Sequence, residues 1–186
     1  MSNLEWFKYC WVWDKKKGTG HLVAKIRPLQ QTEDVVIFGE KRINYYPIMT
    51  KRDRPIKGRE GRRTEIMGGS GYGTKIKTYT HAYPKTILNY PWYTNGKTFH
   101  PTQKPVALLE YLIRTYTNEG DTVLDNTMGS GTTMVACVNT GRNGTGIELY
   151  PLPNKPIHKT NNPDYFGIAQ NRVEKAQNEA IQLALI

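Results

Sequence analysis

The sequence predicts an α/β fold: part of a parallel sheet with helices packed on it, and a loop-rich insertion between its two parts. Three observations carry that expectation. From residue 100 onward the apolar positions fall in the order helix, strand, helix, strand, helix, the alternation that builds a parallel sheet. Before residue 40, two runs rich in aromatic and β-branched residues read as strands. Between these regions, arginine and glycine interrupt any apolar periodicity, as in loops.

Taken in order, residues 5–14 read as a buried strand, residues 15–20 as a polar turn, and residues 34–38, stopped by Gly39, as a second strand. The basic insertion follows over 41–99. His100-Pro-Thr-Gln-Lys-Pro105 then leads into a helix with Leu108, Leu109, Leu112, Ile113 and Tyr116 on one face. Pro105 is tolerated in the first turn of that helix, and Asn118-Glu-Gly120 ends it. Residues 122–125 read as a short strand, 126–131 as a glycine turn, and 132–140 as a helix closed by Gly141. A strand over 144–149 and a last helix over 164–185 complete the series.

A chain of 186 residues suits one domain carrying a large insertion. With 38% hydrophobic residues it is not a disordered tail, and 26 basic against 16 acidic side chains exclude an acidic calcium buffer. No apolar run reaches the roughly 18 residues of a membrane span, and Ser-Asn-Leu-Glu after Met1 is not a secretory signal. A cytoplasmic protein without membrane contact is therefore expected. Two cysteines, Cys10 and Cys137, make neither a disulfide framework nor a four-ligand zinc site, so no metal is expected.

The net charge of +10 is unevenly placed. Residues 1–85 hold 18 basic and eight acidic side chains, whereas residues 86–186 hold eight of each. Arginine can grip phosphates and guanine edges with two hydrogen bonds, and glycine lets backbone approach a polyanion. Arg52, Arg54, Arg59, Arg62 and Arg63 are thus candidates for contact with nucleic acid. A solvated basic loop fits this segment alone equally well; the neutral half beside it favours nucleic acid.

The turn Asp125-Asn-Thr-Met-Gly129-Ser-Gly131-Thr-Thr133 is the candidate chemical site. No lysine follows its glycines, which excludes a P-loop, and Met134 stands where a dinucleotide fold needs a third glycine. What remains is two glycines between two acids, Asp125 and Glu148, at the ends of successive strands. A carboxylate there can accept hydrogen bonds from ribose hydroxyls, and a second one suits a cationic amino group. That combination favours S-adenosylmethionine, although the turn alone also fits an ordinary strand-to-helix bend.

His100-Pro-Thr-Gln-Lys-Pro105, Val123-Leu-Asp-Asn-Thr-Met-Gly-Ser-Gly-Thr-Thr133, Gly146-Ile-Glu148 and Asp164-Tyr-Phe-x-Ile-Ala-x-x-Arg172 occur in this order. Over nearly its whole length the chain resembles DNA amino-methyltransferases, which modify adenine N6 or cytosine N4. It is similar to the circularly ordered group, in which the recognition region precedes the cofactor motif. The resemblance implies a partial Rossmann-like S-adenosylmethionine-dependent methyltransferase sheet: catalytic-half strands in 1–40, target recognition in 41–99 and cofactor binding in 100–186. It implies Thr102 and Lys104 near the methionine end of the cofactor, Asp125, Gly129 and Gly131 around its middle, and Glu148 on the ribose. Thr127, Met128 and Thr132 complete the implied contacts, with Thr127 where the family usually has Phe and Met128 offering the apolar surface instead. His100 reads as a turn residue rather than a general base.

The family's Asp-Pro-Pro-Tyr-type loop, which holds the target amine, has no counterpart: the sequence contains no Pro-Pro dipeptide. Asn89-Tyr-Pro-Trp92 and Asn162-Pro-Asp-Tyr165 read better as ordinary loop residues, which leaves the catalytic residues unassigned. The expectation is a carboxyl-terminal portion of a site-specific DNA methyltransferase with little activity alone, its sheet altered in pairing or completed by self-association or a complementing N-terminal chain. The rival readings are a non-catalytic remnant or subunit that binds DNA and cofactor, and a methyltransferase of RNA or protein.

Overall fold

The computed structural model describes residues 3–59, 76–92, 98–149 and 164–184. Its strands and helices are β1 (Phe7–Thr19), β2 (Gln30–Phe38), β3 (Thr50–Arg59), β4 (Ile76–Ala82), β5 (Ile87–Asn89), α1 (Val106–Tyr116), β6 (Thr122–Asp125), α2 (Thr132–Thr140), β7 (Asn143–Gly146) and α3 (Tyr165–Ala184). They form two compact units: residues 1–46 with 86–186, and residues 47–85.

In the first unit β1 is the middle strand of the order β2-β1-β5, antiparallel to β2 and parallel to β5. Strand geometry sends alternate side chains to one face, and along β1 this buried row is Trp11, Trp13 and Lys15. Trp11 and Trp13 pack with Leu88 and Leu108. Each indole N–H has an acceptor: Trp13 Nε1 donates to the Tyr90 carbonyl at 2.7 Å and Trp11 Nε1 to the Tyr116 hydroxyl at 2.5 Å. Both large rings are thereby buried without an unpaired polar atom. The structure corrects the expected turn at 15–20, because β1 runs on to Thr19. The Lys15 ammonium meets Glu33 on β2 and the Thr19 hydroxyl, which supplies the partners a buried cation needs.

The other part of this unit is the succession β6–α2–β7. The two strands pair in parallel, Thr122↔Asn143 through Asp125↔Gly146, and α2 is the crossover between them. Glycine at 144 and 146 lets α2 sit close to β7: a Cβ on Gly144 would lie 2.8 Å from Met134 Sδ, and one on Gly146 would overlap Met128 Sδ. Helix α1 touches both hydrophobic clusters, Leu108 joining the tryptophans and Ile113 joining Ala136 and Cys137. Among the described residues the β2-β1-β5 and β6-β7 ladders are separate. None of the described helices is long and apolar enough to cross a membrane.

The second unit departs from the loop-rich expectation. Strands β3 and β4 form an antiparallel ribbon, with Lys51↔His81, Ile56↔Tyr79 and Lys57↔Thr78 opposite each other. Isoleucine, threonine and tyrosine scattered among the charges supply the strand-forming side chains. The register shift between Lys51 and Ile56 sets residues 52–55 against Thr80 alone, which takes Pro55 out of the ladder it could not donate to. Residues 60–75 lie outside the described part.

Because Leu108 is buried in one cluster with both core tryptophans, Leu108→Ala is expected to destabilise the fold by about 2–5 kcal/mol. The exposed Leu124→Ala is expected to stay within about 0.5 kcal/mol. Denaturant unfolding checks both, and equal midpoints for the two variants would contradict the packing described.

Candidate functional site

The turn after β6 is organised by its own carboxylate. Asp125 Oδ1 accepts the Thr127 N–H at 3.1 Å and Oδ2 accepts the Thr133 hydroxyl at 2.5 Å, tying the strand end to the first turn of α2. Gly129 (φ +53°) and Gly131 (φ +75°) adopt left-handed backbone, which side-chain-bearing residues enter at a cost of about 1–2 kcal/mol. With Gly129 so turned, its N–H donates to Glu148 Oε2 at 2.6 Å. The two acids, distant in sequence, therefore bracket one bend: Asp125 from within and Glu148 from the end of the neighbouring strand.

Helix α3 closes on the same bend. A Cβ on Gly131 would lie 2.7 Å from the Ala169 Cβ, so only glycine admits the helix at this distance. One turn further on, Arg172 Nη1 donates to the Ser130 carbonyl at 2.5 Å and lies within hydrogen-bond reach of the Ser130 and Thr132 hydroxyls. Burial pushes the Arg172 guanidinium below its usual pKa. The buried Ser130 also donates to Gln103 Oε1 at 3.0 Å, which joins the turn to the segment before α1. On that segment His100 Nδ1 accepts the Thr102 N–H at 3.2 Å. The ring packs on Tyr165 with centroids 4.3 Å apart. His100 is a turn residue held by α3.

A cavity of about 330 Å³ opens between these pieces, lined by His100, Thr102, Gln103, Lys104, Leu109, Asp125, Thr127, Met128, Gly129, Ser130, Thr132 and Thr133. It brings together seven of the cofactor residues named from the sequence: Thr102, Lys104, Asp125, Thr127, Met128, Gly129 and Thr132. Gly131 stands behind it against α3, and Glu148 reaches the turn through Gly129. A second cavity of about 500 Å³ shares Gln103 and Lys104 and extends past Trp92, Phe99 and Arg172. Among the described residues no cluster of His, Cys, Asp and Glu could hold a metal ion.

Sequence reasoning missed a set of residues around Lys104. Lys104 Nζ pairs with Glu33 Oε2 at 2.8 Å, and the other oxygen of that carboxylate takes the buried Lys15 Nζ at 3.2 Å. Lys104 Nζ also lies 5.3 Å from the centre of a Trp13 ring. Burial raises the Glu33 carboxyl, but the Lys104 and Lys15 ammonium ions outweigh it and hold the group below its ordinary value. One sequence signal was available: Glu33 shares its alternation with Val35 and Ile37, the inward row of β2.

The candidate DNA residues lie in the other unit. Arg52 and Arg54 are on β3, where Arg52 Nε donates to the His81 carbonyl at 3.1 Å. Arg59 ends that strand with its side chain outside the described part, as are Arg62 and Arg63 altogether.

A strand–glycine-turn–helix unit, with a carboxylate two residues past the end of the next strand, is the arrangement in which open α/β sheets take nucleoside-type ligands. A family model of DNA methylases acting at N6 and N4 matches residues 2–152, and the chain belongs to that family. It is 42% identical over 133 residues to the type II methyltransferase M2.DpnII of Streptococcus pneumoniae, covering 71% of this chain and 42% of that protein. Identity to the type II methyltransferase M.HpaI of Haemophilus parainfluenzae is 39% over 79 residues, 42% of this chain and 21% of the relative. The chain thus spans less than half the length of these curated relatives. The M1.HpyAVI–SAM complex matches with a TM-score of 0.54 and 25% identity, covering 90% of this chain and 62% of that one. The PvuII DNA methyltransferase, cytosine-N4-specific, shares the fold with a TM-score of 0.51, 18% identity and coverage of 92% and 58%.

Gly131 and Gly120 both have left-handed backbone, φ +75° and +82°, but a Cβ on Gly120 would meet nothing within 4 Å. Gly131→Ala is accordingly expected to destabilise by about 1–3 kcal/mol more than Gly120→Ala, the cost of overpacking against α3. Thermal melts of the two variants compare them directly, and equal losses would remove the argument that α3 requires a glycine there.

Proposed function

We propose that this chain is the cofactor-binding and target-recognition portion of an S-adenosylmethionine-dependent DNA amino-methyltransferase, which transfers a methyl group to adenine N6 or cytosine N4 in duplex DNA. The observation that carries the reading is the Glu148–Gly129 hydrogen bond beside the cavity. It fixes one oxygen of the carboxylate on the turn and leaves Oε1 to accept from a ribose. The fit to the cofactor rests on this chemistry. The cavity volume lies within the usual range for small-ligand sites, and Gly129 keeps its wall at backbone level. Met128 supplies apolar surface, while Asp125 and Lys104 offer opposite charges to an amino-acid tail. When bound, the cofactor supplies an electrophilic methyl group on a sulfonium.

In this reading the protein's contribution is placement. Asp125, Glu148 and the turn hold the donor, the Thr102–Lys104 segment closes over its tail, and α3 keeps water from the back of the bend. An exocyclic amine has its lone pair delocalised into the ring, so it attacks only when acceptors draw it toward tetrahedral geometry. The 186 residues contain no Pro-Pro dipeptide. We therefore assign the amine-orienting Asp-Pro-Pro-Tyr-type loop to polypeptide outside them, in the circular order with recognition before cofactor. That polypeptide can be the same protein or a complementing chain. Asn89-Tyr-Pro-Trp92 is not assigned that role, and its Tyr90 carbonyl accepts the Trp13 indole N–H. The β3–β4 ribbon, within residues 47–85, is the DNA-gripping element of the proposal, with Arg52 and Arg54 aimed at phosphates.

Calorimetry with S-adenosylmethionine tests the site. Glu148→Gln is expected to weaken binding roughly tenfold or more, equivalent to about 1.4 kcal/mol. No heat with the parent, or unchanged affinity in the variant, would overturn the cofactor reading. Separately, Arg52→Ala and Arg54→Ala are each expected to lower the salt dependence of duplex binding by about one unit of log–log slope. Tritiated methyl incorporation into DNA by the 186 residues alone would contradict the placement of the amine-orienting loop elsewhere.

A further inference from the structure

Lys15 is an anomaly in its own strand. It continues the buried row of Trp11 and Trp13 and is only 4% exposed, yet it carries an ammonium group. Burying a cation is costly unless it is paired, and here the partner is shared. Glu33 gives Oε1 to Lys15 and Oε2 to Lys104, and among the described residues it is the carboxylate that meets either ammonium within ion-pair distance. Two cations on one carboxylate leave an excess of one positive charge. Of the trio, Lys104 is the member that lines the candidate cofactor cavity. A single Lys–Glu pair would have been neutral. The Trp13 ring lies beneath the Lys104 ammonium and limits where it can go.

We propose that Glu33 is a positioning residue, buttressed by Lys15, that aims the Lys104 ammonium at the α-carboxylate of the bound methyl donor and so makes the site select donors carrying that carboxylate. The proposal rests on the cofactor reading above. It extends that reading to two residues of β1 and β2 that do not line the cavity. Glu33 fixes the Lys104 side chain from a neighbouring strand, so that less side-chain entropy is lost when the carboxylate arrives. Lys15 occupies the second oxygen of Glu33, which prevents Glu33 from fully neutralising Lys104. Lys104 lines both the cavity bounded by Asp125 and the glycine turn and the second one past Trp92 and Arg172; the first is the one the cofactor reading fills, so the anion of the proposal is a carboxylate on the donor rather than a phosphate of DNA.

The test is calorimetry on the 186-residue protein with two probes, S-adenosylmethionine and its decarboxylated analogue. The parent is expected to prefer the carboxylated donor by roughly tenfold, and Lys104→Met to reduce that preference to within about twofold. Glu33→Gln is expected to lose part of the preference, about threefold, while leaving affinity for the decarboxylated analogue unchanged. If Glu33 acts through Lys104, Glu33→Gln adds nothing in the Lys104→Met background; additive losses would overturn the proposal. Since Glu33→Gln leaves Lys15 buried without its counter-charge, Lys15→Met/Glu33→Gln is the companion variant, expected to fold and to show the same lowered preference. Equal binding of both probes by the parent overturns this proposal while the cofactor reading stands. Binding of neither probe overturns both. A Glu33→Gln effect confined to duplex affinity assigns the charge to phosphate instead and likewise refutes the carboxylate role.

Discussion

Removing two side chains from one bend is what allows the site to exist. Gly129 turns its N–H toward Glu148 because left-handed backbone there costs glycine little. Gly131 lets Ala169 of α3 approach to a distance that an alanine would block. The approach in turn puts Arg172 on the Ser130 carbonyl. Ser130 then reaches Gln103 and fixes the segment before α1. A carboxylate, an arginine and a glutamine, far apart along the chain, are thus fixed by two missing Cβ atoms. Gly144 and Gly146 extend the same logic under α2, where methionine sulfurs occupy the space side chains would fill.

Helix α1 carries that arrangement to the rest of the unit. Its Leu108 belongs to the tryptophan cluster and its Ile113 to the cluster under α2. The His100–Lys104 segment that enters α1 is therefore held against both. At the far end of the helix, Tyr116 accepts the Trp11 indole N–H and bonds to the Tyr9 hydroxyl. Burial, reinforced by Tyr9, holds its phenol above the usual value. Hydrophobic contact sets the distances, and the satisfied polar atoms decide which rotamers are kept.

The elements read best from sequence are those whose pattern is local. The helical stripe from Leu108 to Tyr116, the glycine at each end of α2 and the short β6 all follow from spacing and turn chemistry within a dozen residues. The cavity was legible for the same reason, because eleven of its twelve lining residues lie in two contiguous motifs. The ribbon of β3 and β4 was hidden because its strand-forming residues alternate with lysines and arginines whose charges mask the period, and because Pro55 sits in an irregular stretch. The run of β1 beyond Asp14 was hidden because it depends on a pairing with Glu33 across the sheet. Nothing local distinguishes an inward Lys15 from a turn lysine. Glu33 gave only half a signal: alternation placed it inward, but its two partners come from 18 residues upstream and 71 downstream.

Charge is distributed in a way that a DNA-modifying protein with a cationic donor would need. A sulfonium donor with an amino group must find carboxylates, and a polyanion must find cations, without either site attracting the other's ligand. Asp125 and Glu148 lie in the half of the sequence that carries eight basic and eight acidic side chains. The arginines of β3 belong to the separate unit of residues 47–85. Both carboxylates are tied to the backbone of the bend, Asp125 through Thr127 and Glu148 through Gly129, so their charge is fixed in place. At roughly 0.15 M salt the field of an exposed charge decays over about 8 Å. In the proposed function the acids set what enters the cavity, and the net excess of +10 governs the encounter with a polyanion before any specific contact forms.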